Sequence, residues 1–139
     1  MARITRSEAR KKAFEIIFAS LSDTLGTEEQ ISIFAEENPK YEYHFGYITK
    51  AVTGAVSKSE ETEKSVNENI ADGWTYKRLS KMCRAILLLS IYEMKYIEDV
   101  PPRVAINEAV ELAKIYGDDN EPSLINGILG SVMKNECNE

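Results

Sequence analysis

Hydrophobic positions recur with helical period along nearly the whole chain. Between Pro101 and Gly117, Ala105, Ala109, Leu112, Ala113 and Tyr116 follow at spacings of four, three, one and three, which draws one apolar stripe along a helix. Asn107, Glu111 and Lys114 fall opposite, with Glu111 placed before Lys114 as a favourable i,i+3 pair. Pro101 and Pro102 suit the first turn, where their missing N–H would go unbonded anyway, and Gly117 predicts a left-handed residue just past the end. The small alanines predict close packing on the segment 78–97. That segment holds the most apolar run of the chain. Leu79, Met82, Cys83, Ile86, Leu87, Leu89 and Ser90 wrap more than one face of a helix over 74–97, so it is expected to be central and surrounded.

The other elements read the same way. Thr5-x-x-Glu8 matches a capping box and starts a first helix with Ala9, Ala13, Ile16, Ile17 and Leu21 inward. A turn from Asp23 to Thr27, around Gly26, leads to a second such box, Thr27-x-x-Gln30. The short helix over 28–37 stops at Asn38-Pro39, because the residue before proline avoids the helical region. Over 41–57, Tyr43, Tyr47, Ile48, Ala51, Val52 and Ala55 share a face. Tyr41, Tyr43, His44 and Phe45 resemble an aromatic nucleic-acid platform, but their spacing favours helix packing. Ser57-x-x-Glu60 predicts a polar helix over 57–71 with Thr62, Val66 and Ile70 inward, ended by Asp72-Gly73. A last helix over 123–135 turns Leu124, Ile125, Ile128, Leu129 and Val132 inward, Gly127 and Gly130 read as points of close packing, and the tail trails off polar. No strand pattern and no repeat interrupts this series, so the expectation is an all-α bundle of about seven helices.

Composition narrows the class. With 139 residues, 43% hydrophobic and 29% charged, the chain is expected to form one globular domain. The run 85–92 is too short to cross a membrane, and Met-Ala-Arg-Ile-Thr-Arg lacks the apolar stretch of a secretory signal, so no membrane partner is expected. Cys83 and Cys137 stand 54 positions apart with no pairing motif, which points to a reduced, cytoplasmic compartment. Net charge is −6, against indiscriminate nucleic-acid binding, but its distribution is uneven. Residues 1–12 carry +4 through Arg3, Arg6, Arg10, Lys11 and Lys12 against Glu8; Lys77, Arg78, Lys81 and Arg84 form a second +4 cluster, leaving −14 on the rest. Two focused basic patches on an acidic body suit selective contact with a polyanion. Arg3, Arg6 and Arg10 fall on a common flank; a solvated helix start is the plain reading, but cations at a helix N-terminus oppose its dipole, which suggests another use such as phosphate contact.

Catalytic chemistry is missing from the pattern. One histidine excludes two-His metal motifs and His-based triads, there is no C-x-x-C pair, and the seven glycines make neither G-x-G-x-x-G nor a P-loop. No enzyme activity, metal or cofactor is expected.

The string Val-Ala-Ile-Asn-Glu-Ala-Val-Glu-Leu-Ala-Lys over 104–114, followed by Gly117 and by Ile-Asn-Gly-Ile-Leu over 125–129, resembles the signature of the NusB family of bacterial transcription antitermination factors. Trp74-x-x-x-Arg78-Leu79, Arg84-Ala-Ile-Leu87, Ile91-Tyr-Glu-Met94 and Ala9-Arg10-x-x-Ala13 with Phe18 fit the same family. The likeness is strong over 74–129, fair over 3–18 and generic over 20–72. It implies two packed helical subdomains, about 1–72 and 73–135. It also implies binding of the boxA RNA of nascent ribosomal transcripts together with ribosomal protein NusE, in a complex with other Nus factors and RNA polymerase. The family's RNA contacts carry over to Arg6 and Arg10, and to Tyr116, Asn120 and Ser123 around the loop before the last helix. Charge and spacing add Arg3 and Lys11. Four neutralised phosphates on a single strand would give log K a slope of about −3 against log salt. Ser123 and Leu124 stand where the family often has Lys and Phe, Gly130 replaces an Asp, and Leu88 an Arg, so the N-terminal patch carries more weight than the loop. No residue is assigned to the NusE surface, although an acidic flank after Trp74 would suit a basic ribosomal partner. NusB-like domains also occur fused to small-subunit rRNA cytosine methyltransferases, so fold alone does not fix the role. No methyltransferase region follows Glu139, which weighs against the fused enzyme. A protein-interaction or dimerisation module without RNA binding is the alternative, and a homodimer is left open.

Overall fold

The computed structural model describes residues 3–22 and 25–137. The expected turn at Asp23 and the last two residues of the polar tail lie outside the described residues. Among these, seven α-helices follow in the order α1 (Arg6–Ser20), α2 (Thr27–Glu37), α3 (Phe45–Ser57), α4 (Ser59–Glu68), α5 (Lys81–Tyr96), α6 (Pro102–Tyr116) and α7 (Glu121–Glu136). Short 3-10 helices, Pro39–His44 and Tyr76–Arg78, precede α3 and α5, and no strand occurs among the described residues.

A helix with no polar face must be surrounded, and α5 is. Every residue from 85 to 94 is buried, including Glu93. Helices α1, α3, α4, α6 and α7 all pack on it; α1, α2 and α3 also touch one another, as do α6 and α7. Helix α6 packs on α5 and α7, and the alanines of its stripe, Ala105, Ala109 and Ala113, are buried. Gly54 permits the α3–α5 approach: a Cβ there would enter the Tyr92 ring, which itself stacks on Tyr96 at 5.2 Å.

Helix starts are the least legible feature. The first capping box forms, but Thr27 is already inside α2, whose N-cap is Gly26 without a side-chain bond; Gln30 instead donates to the Leu25 carbonyl. Ser57 ends α3, its hydroxyl donating back to Gly54 O, and α4 starts two residues later. The expected single helix over 74–97 divides at Ser80, which caps α5 by accepting from the Cys83 N–H at 3.0 Å. Leu21 lies past the end of α1 and is exposed.

Two glycine expectations also change. Gly117 is extended rather than left-handed, at φ −101° and ψ 177°. Space, not torsion, selects it: a Cβ would lie 2.6 Å from Glu121 Oε1 and 2.9 Å from Ala113 O. At Gly127 and Gly130 a Cβ would meet no atom within 4 Å, so neither is a packing point. Among the described residues no helix is long and apolar enough to cross a membrane.

Candidate nucleic-acid interface

The capping box sets the register of the basic segment. Thr5 Oγ1 accepts from the Glu8 N–H and Glu8 Oε2 accepts from the Thr5 N–H, both at 3.1 Å. Arg6 therefore begins α1, Arg3 precedes the helix, and Arg10 follows Arg6 by about one turn. These three arginines end up in different surroundings.

Arg3 is exposed. Arg6 lies across the Tyr47 ring, 4.4 Å from its centroid, and places Nη2 3.4 Å from Asp99 Oδ2. That ion pair is long and open to solvent, so it holds Arg6 weakly. Arg10 departs from the expectation. It is only 3% exposed, with Nε 2.8 Å from Glu93 Oε1 and Nη2 2.9 Å from Glu93 Oε2, while Nη1 lies 3.0 Å from Glu108 Oε1. Glu93 is 1% exposed and also accepts from the Tyr47 hydroxyl at 2.9 Å; Glu108 accepts from the Ser7 hydroxyl. The common flank inferred for Arg3, Arg6 and Arg10 thus turns inward at residue 10, because the carboxylate buried on α5 requires a cation there. Burial pulls the Arg10 pKa down, but its hydrogen bonds and the negative charge of Glu93 outweigh that and hold it above the ordinary arginine value. Burial, then the Glu93 charge, pushes the Tyr47 phenol well above its usual range. Arg10 is a structural tie between α1, α5 and α6, and phosphate has no route to it.

The lysines point two ways. Lys11, half-buried, lines a small cleft with Ser7, Glu108 and Glu111 on the α6 side. Lys12 pairs with Glu15 at 3.5 Å and sits 6.0 Å over the Tyr41 ring. On the Tyr41 side a groove of about 810 Å³ opens between the N-terminal segment and the 3-10 helix Pro39–His44, lined by Arg3, Ile4, Glu8, Lys40, Tyr43 and His44. The His44 Nε2 lies 2.9 Å from the Ile4 carbonyl and ties the two walls together.

The aromatic cluster of 41–45 is split by its backbone. Tyr41 and His44 are buried, as packing residues should be, but Tyr43 is 90% exposed rather than on the inner face. Pro39 opens a 3-10 turn, whose three-residue period rotates Tyr43 out of the α-helical phase that the sequence spacing implies. Lys40 and Tyr43 are therefore surface residues that the periodicity hides; Pro39 is the one signal for them.

The loop-side candidates lie farther along α1. Tyr116 is half-buried, its ring 4.9 Å from Phe14 and its hydroxyl donating to Glu15 Oε2 at 2.9 Å. Burial and then that bond push its pKa up to about 12. Asn120 and Ser123 are exposed. Glu121 fixes the loop by accepting from the Asp118 N–H at 3.1 Å and from the Ser80 hydroxyl at 2.6 Å. The second basic cluster meets the same end of α1, since Lys81 Nζ lies 4.6 Å over the Phe18 ring. Arg78 covers Trp74 at 5.3 Å and donates to Gly73 O, and Arg84 Nε is buried without a hydrogen-bond partner. Arg3 thus precedes α1 and Arg6 begins it, while Tyr116 at Glu15 and Lys81 at Phe18 lie about 14–18 Å beyond Arg6 at 1.5 Å per residue, with Lys11 between.

Known proteins resemble this chain in sequence and in fold. The sequence matches the model of the NusB family over residues 7–134. It is 36% identical over 133 residues to a transcription antitermination protein NusB of Clostridium novyi (strain NT), covering 94% of this chain and 99% of that one. A protein of the same description from Listeria monocytogenes serotype 4a (strain HCC23) is 35% identical over 127 residues, 91% of this chain and 94% of the other. Among solved structures, T. maritima NusB matches the fold with a TM-score of 0.87 at 24% identity, over 99% of this chain and 96% of that one. A chain from a crystal structure of antitermination factors NusB and NusE in complex with dsRNA matches with a TM-score of 0.81 at 25% identity, over 93% of this chain and 96% of that one. With the family match running from residue 7 to residue 134, and relatives identical at more than a third of aligned positions over nine-tenths of both partners, the chain belongs to the NusB family.

Proposed function

We propose that this protein is a cytoplasmic, non-enzymatic transcription antitermination factor. It binds boxA RNA of nascent ribosomal transcripts together with ribosomal protein NusE, in a complex with other Nus factors and RNA polymerase. The observation that carries the RNA reading is the accessible basic edge at the start of α1 on a body of net charge −6. Arg3 is exposed, and Arg6 is held only by a solvent-open carboxylate and a ring face, so a phosphate can replace Asp99 with little loss. Lys11 adds a third cation farther along α1, on the α6 side beside Glu108 and Glu111. Arg10 acts one step removed: through Glu93 it fixes the Tyr47 hydroxyl, and so the ring on which Arg6 rests.

Asn120 and Ser123 offer an amide and a hydroxyl at the far end of the same path, and Tyr116 offers a ring edge whose hydroxyl is already engaged. No cation stands at residue 123, but Lys81 lies over Phe18 near that end. With Arg10 removed from the set, three phosphate contacts give a salt slope of about −2, at roughly −0.7 each on a single strand, in place of the −3 expected from four.

The test is a binding titration of boxA RNA against a scrambled RNA of equal length, with and without NusE. Preference for boxA, strengthened by NusE and weakened by salt with that slope, supports the reading. Equal affinity for both RNAs under both conditions overturns it.

A further inference from the structure

We propose that the groove between the N-terminal segment and the 3-10 helix Pro39–His44 seats one unpaired nucleotide of the bound RNA, its base stacked on Tyr43 and its phosphate between Arg3 and Lys40. The proposal rests on the RNA-binding reading above and extends the strand's path off α1 onto a segment where the family motifs are absent.

Three observations support it. A tyrosine 90% exposed leaves apolar ring surface in water that a stacked base would cover. Its neighbour His44 meets it in a T-shaped contact, at 88° and 5.1 Å between centroids, which braces the ring while most of its surface stays open to solvent. His44 is itself buried and anchored on the Ile4 carbonyl, so the platform is rigid. Second, the flanking cations are available. Neither Arg3 nor Lys40 forms an ion pair among the described residues, and the carboxylate in the lining, Glu8, is turned to the Thr5 N–H. Third, the open groove measures about 810 Å³, within the range of about 300–1,000 Å³ common for small-ligand clefts. A basic wall beside an exposed aromatic platform is the arrangement by which single strands are held, phosphates on cations and bases on rings. An acidic peptide would satisfy the cations but would leave the flat ring face unused.

The experiment compares full-length Tyr43→Ala, Tyr43→Phe, Lys40→Gln and Arg6→Ala with the parent protein. Each is titrated with fluorescein-labelled single-stranded boxA RNA over a salt series, and with the same RNA carrying 2-aminopurine at successive positions. Thermal melts accompany the titrations and should be unchanged at Tyr43 and Lys40, both of which are exposed. Tyr43→Ala is expected to weaken binding about tenfold, and to abolish the stacking quench of one 2-aminopurine position. Tyr43→Phe should keep both, and Lys40→Gln should weaken binding about threefold at a salt slope near the parent's, because Arg3 keeps the shared phosphate. If Arg6→Ala weakens RNA binding while the Tyr43 and Lys40 variants match the parent, the groove assignment is wrong and the RNA reading stands. If the parent shows no preference for boxA, both fail. Tyr43→Phe as damaging as Tyr43→Ala, or Tyr43→Ala weakening NusE binding at unchanged RNA affinity, also overturns the stacking site.

Discussion

Replacing Arg10 with alanine separates its structural role from an RNA-binding one. The guanidinium supplies Glu93 with bonds at 2.8, 3.1 and 2.9 Å, and without them a carboxylate 1% exposed keeps only the Tyr47 hydroxyl. Deleting one member of a buried ion pair costs about 3–5 kcal/mol, because the surviving charge stays desolvated. That is a large share of a total stability of about 5–15 kcal/mol. Glu93→Gln should cost less, since the amide oxygen can still accept one bond and Arg10 retains Glu108 at 3.0 Å. Arg10→Met combined with Glu93→Leu removes both charges and should recover much of the loss, giving a favourable coupling energy in the double-mutant cycle. Urea unfolding followed by far-UV circular dichroism reads all three. Arg6→Ala provides the contrast: its pair with Asp99 is exposed, so stability should change by less than about 1 kcal/mol. An Arg10→Ala protein that unfolds at the parent's urea midpoint yet loses RNA affinity would refute the structural assignment of Arg10.

Two further substitutions probe other parts of the fold. Gly54→Ala forces a methyl into the Tyr92 ring at the α3–α5 contact and should destabilise by about 1–3 kcal/mol in the same urea assay, while Gly127→Ala, with open space around it, should be neutral or slightly stabilising. Burial raises the pKa of Glu136, but bonds from Lys95, Ser65 and Asn69, with the Lys95 charge, outweigh it and leave the pKa below its ordinary value. Its contribution to stability is therefore complete above the unfolded carboxylate value, about 4.3, and is lost as pH falls through the lower folded value, so Glu136→Gln should flatten the acid limb of a stability–pH profile.

Periodicity identifies the buried faces because burial is decided by many side chains at once. The stripe of α6 and the encircled α5 survive any single misplaced residue. Helix starts depend on which way one hydroxyl turns, and there the pattern misleads. Ser57 and Ser80 are the same residue type in plausible capping positions, but Ser57 bonds back to a carbonyl and Ser80 forward to an amide. Gly117 is a special position for a cause other than torsion: a Cβ there would press on the Ala113 carbonyl at 2.9 Å, backbone that cannot step aside as the Glu121 side chain could.

The site is legible as charge and illegible as geometry, for a reason that α1 makes plain. Five cations in the first twelve residues announce a polyanion surface, but a helix that also packs against the core must turn some of its polar residues inward. The only sequence sign of which one is an acid placed inside the apolar run of α5. Glu93 must be paired, and α1 carries Arg10 to it across 83 positions of sequence. A cation committed in this way contributes to recognition by making its neighbours rigid: Glu93 holds Tyr47, and Tyr47 supports Arg6. Recognition by preorganised side chains loses less ordering entropy on binding than recognition by mobile ones. Loosening Tyr47 through Glu93 should therefore weaken RNA binding without changing the number of phosphates contacted. That outcome appears as reduced affinity at an unaltered salt slope, and it separates the inner arginine from the outer one.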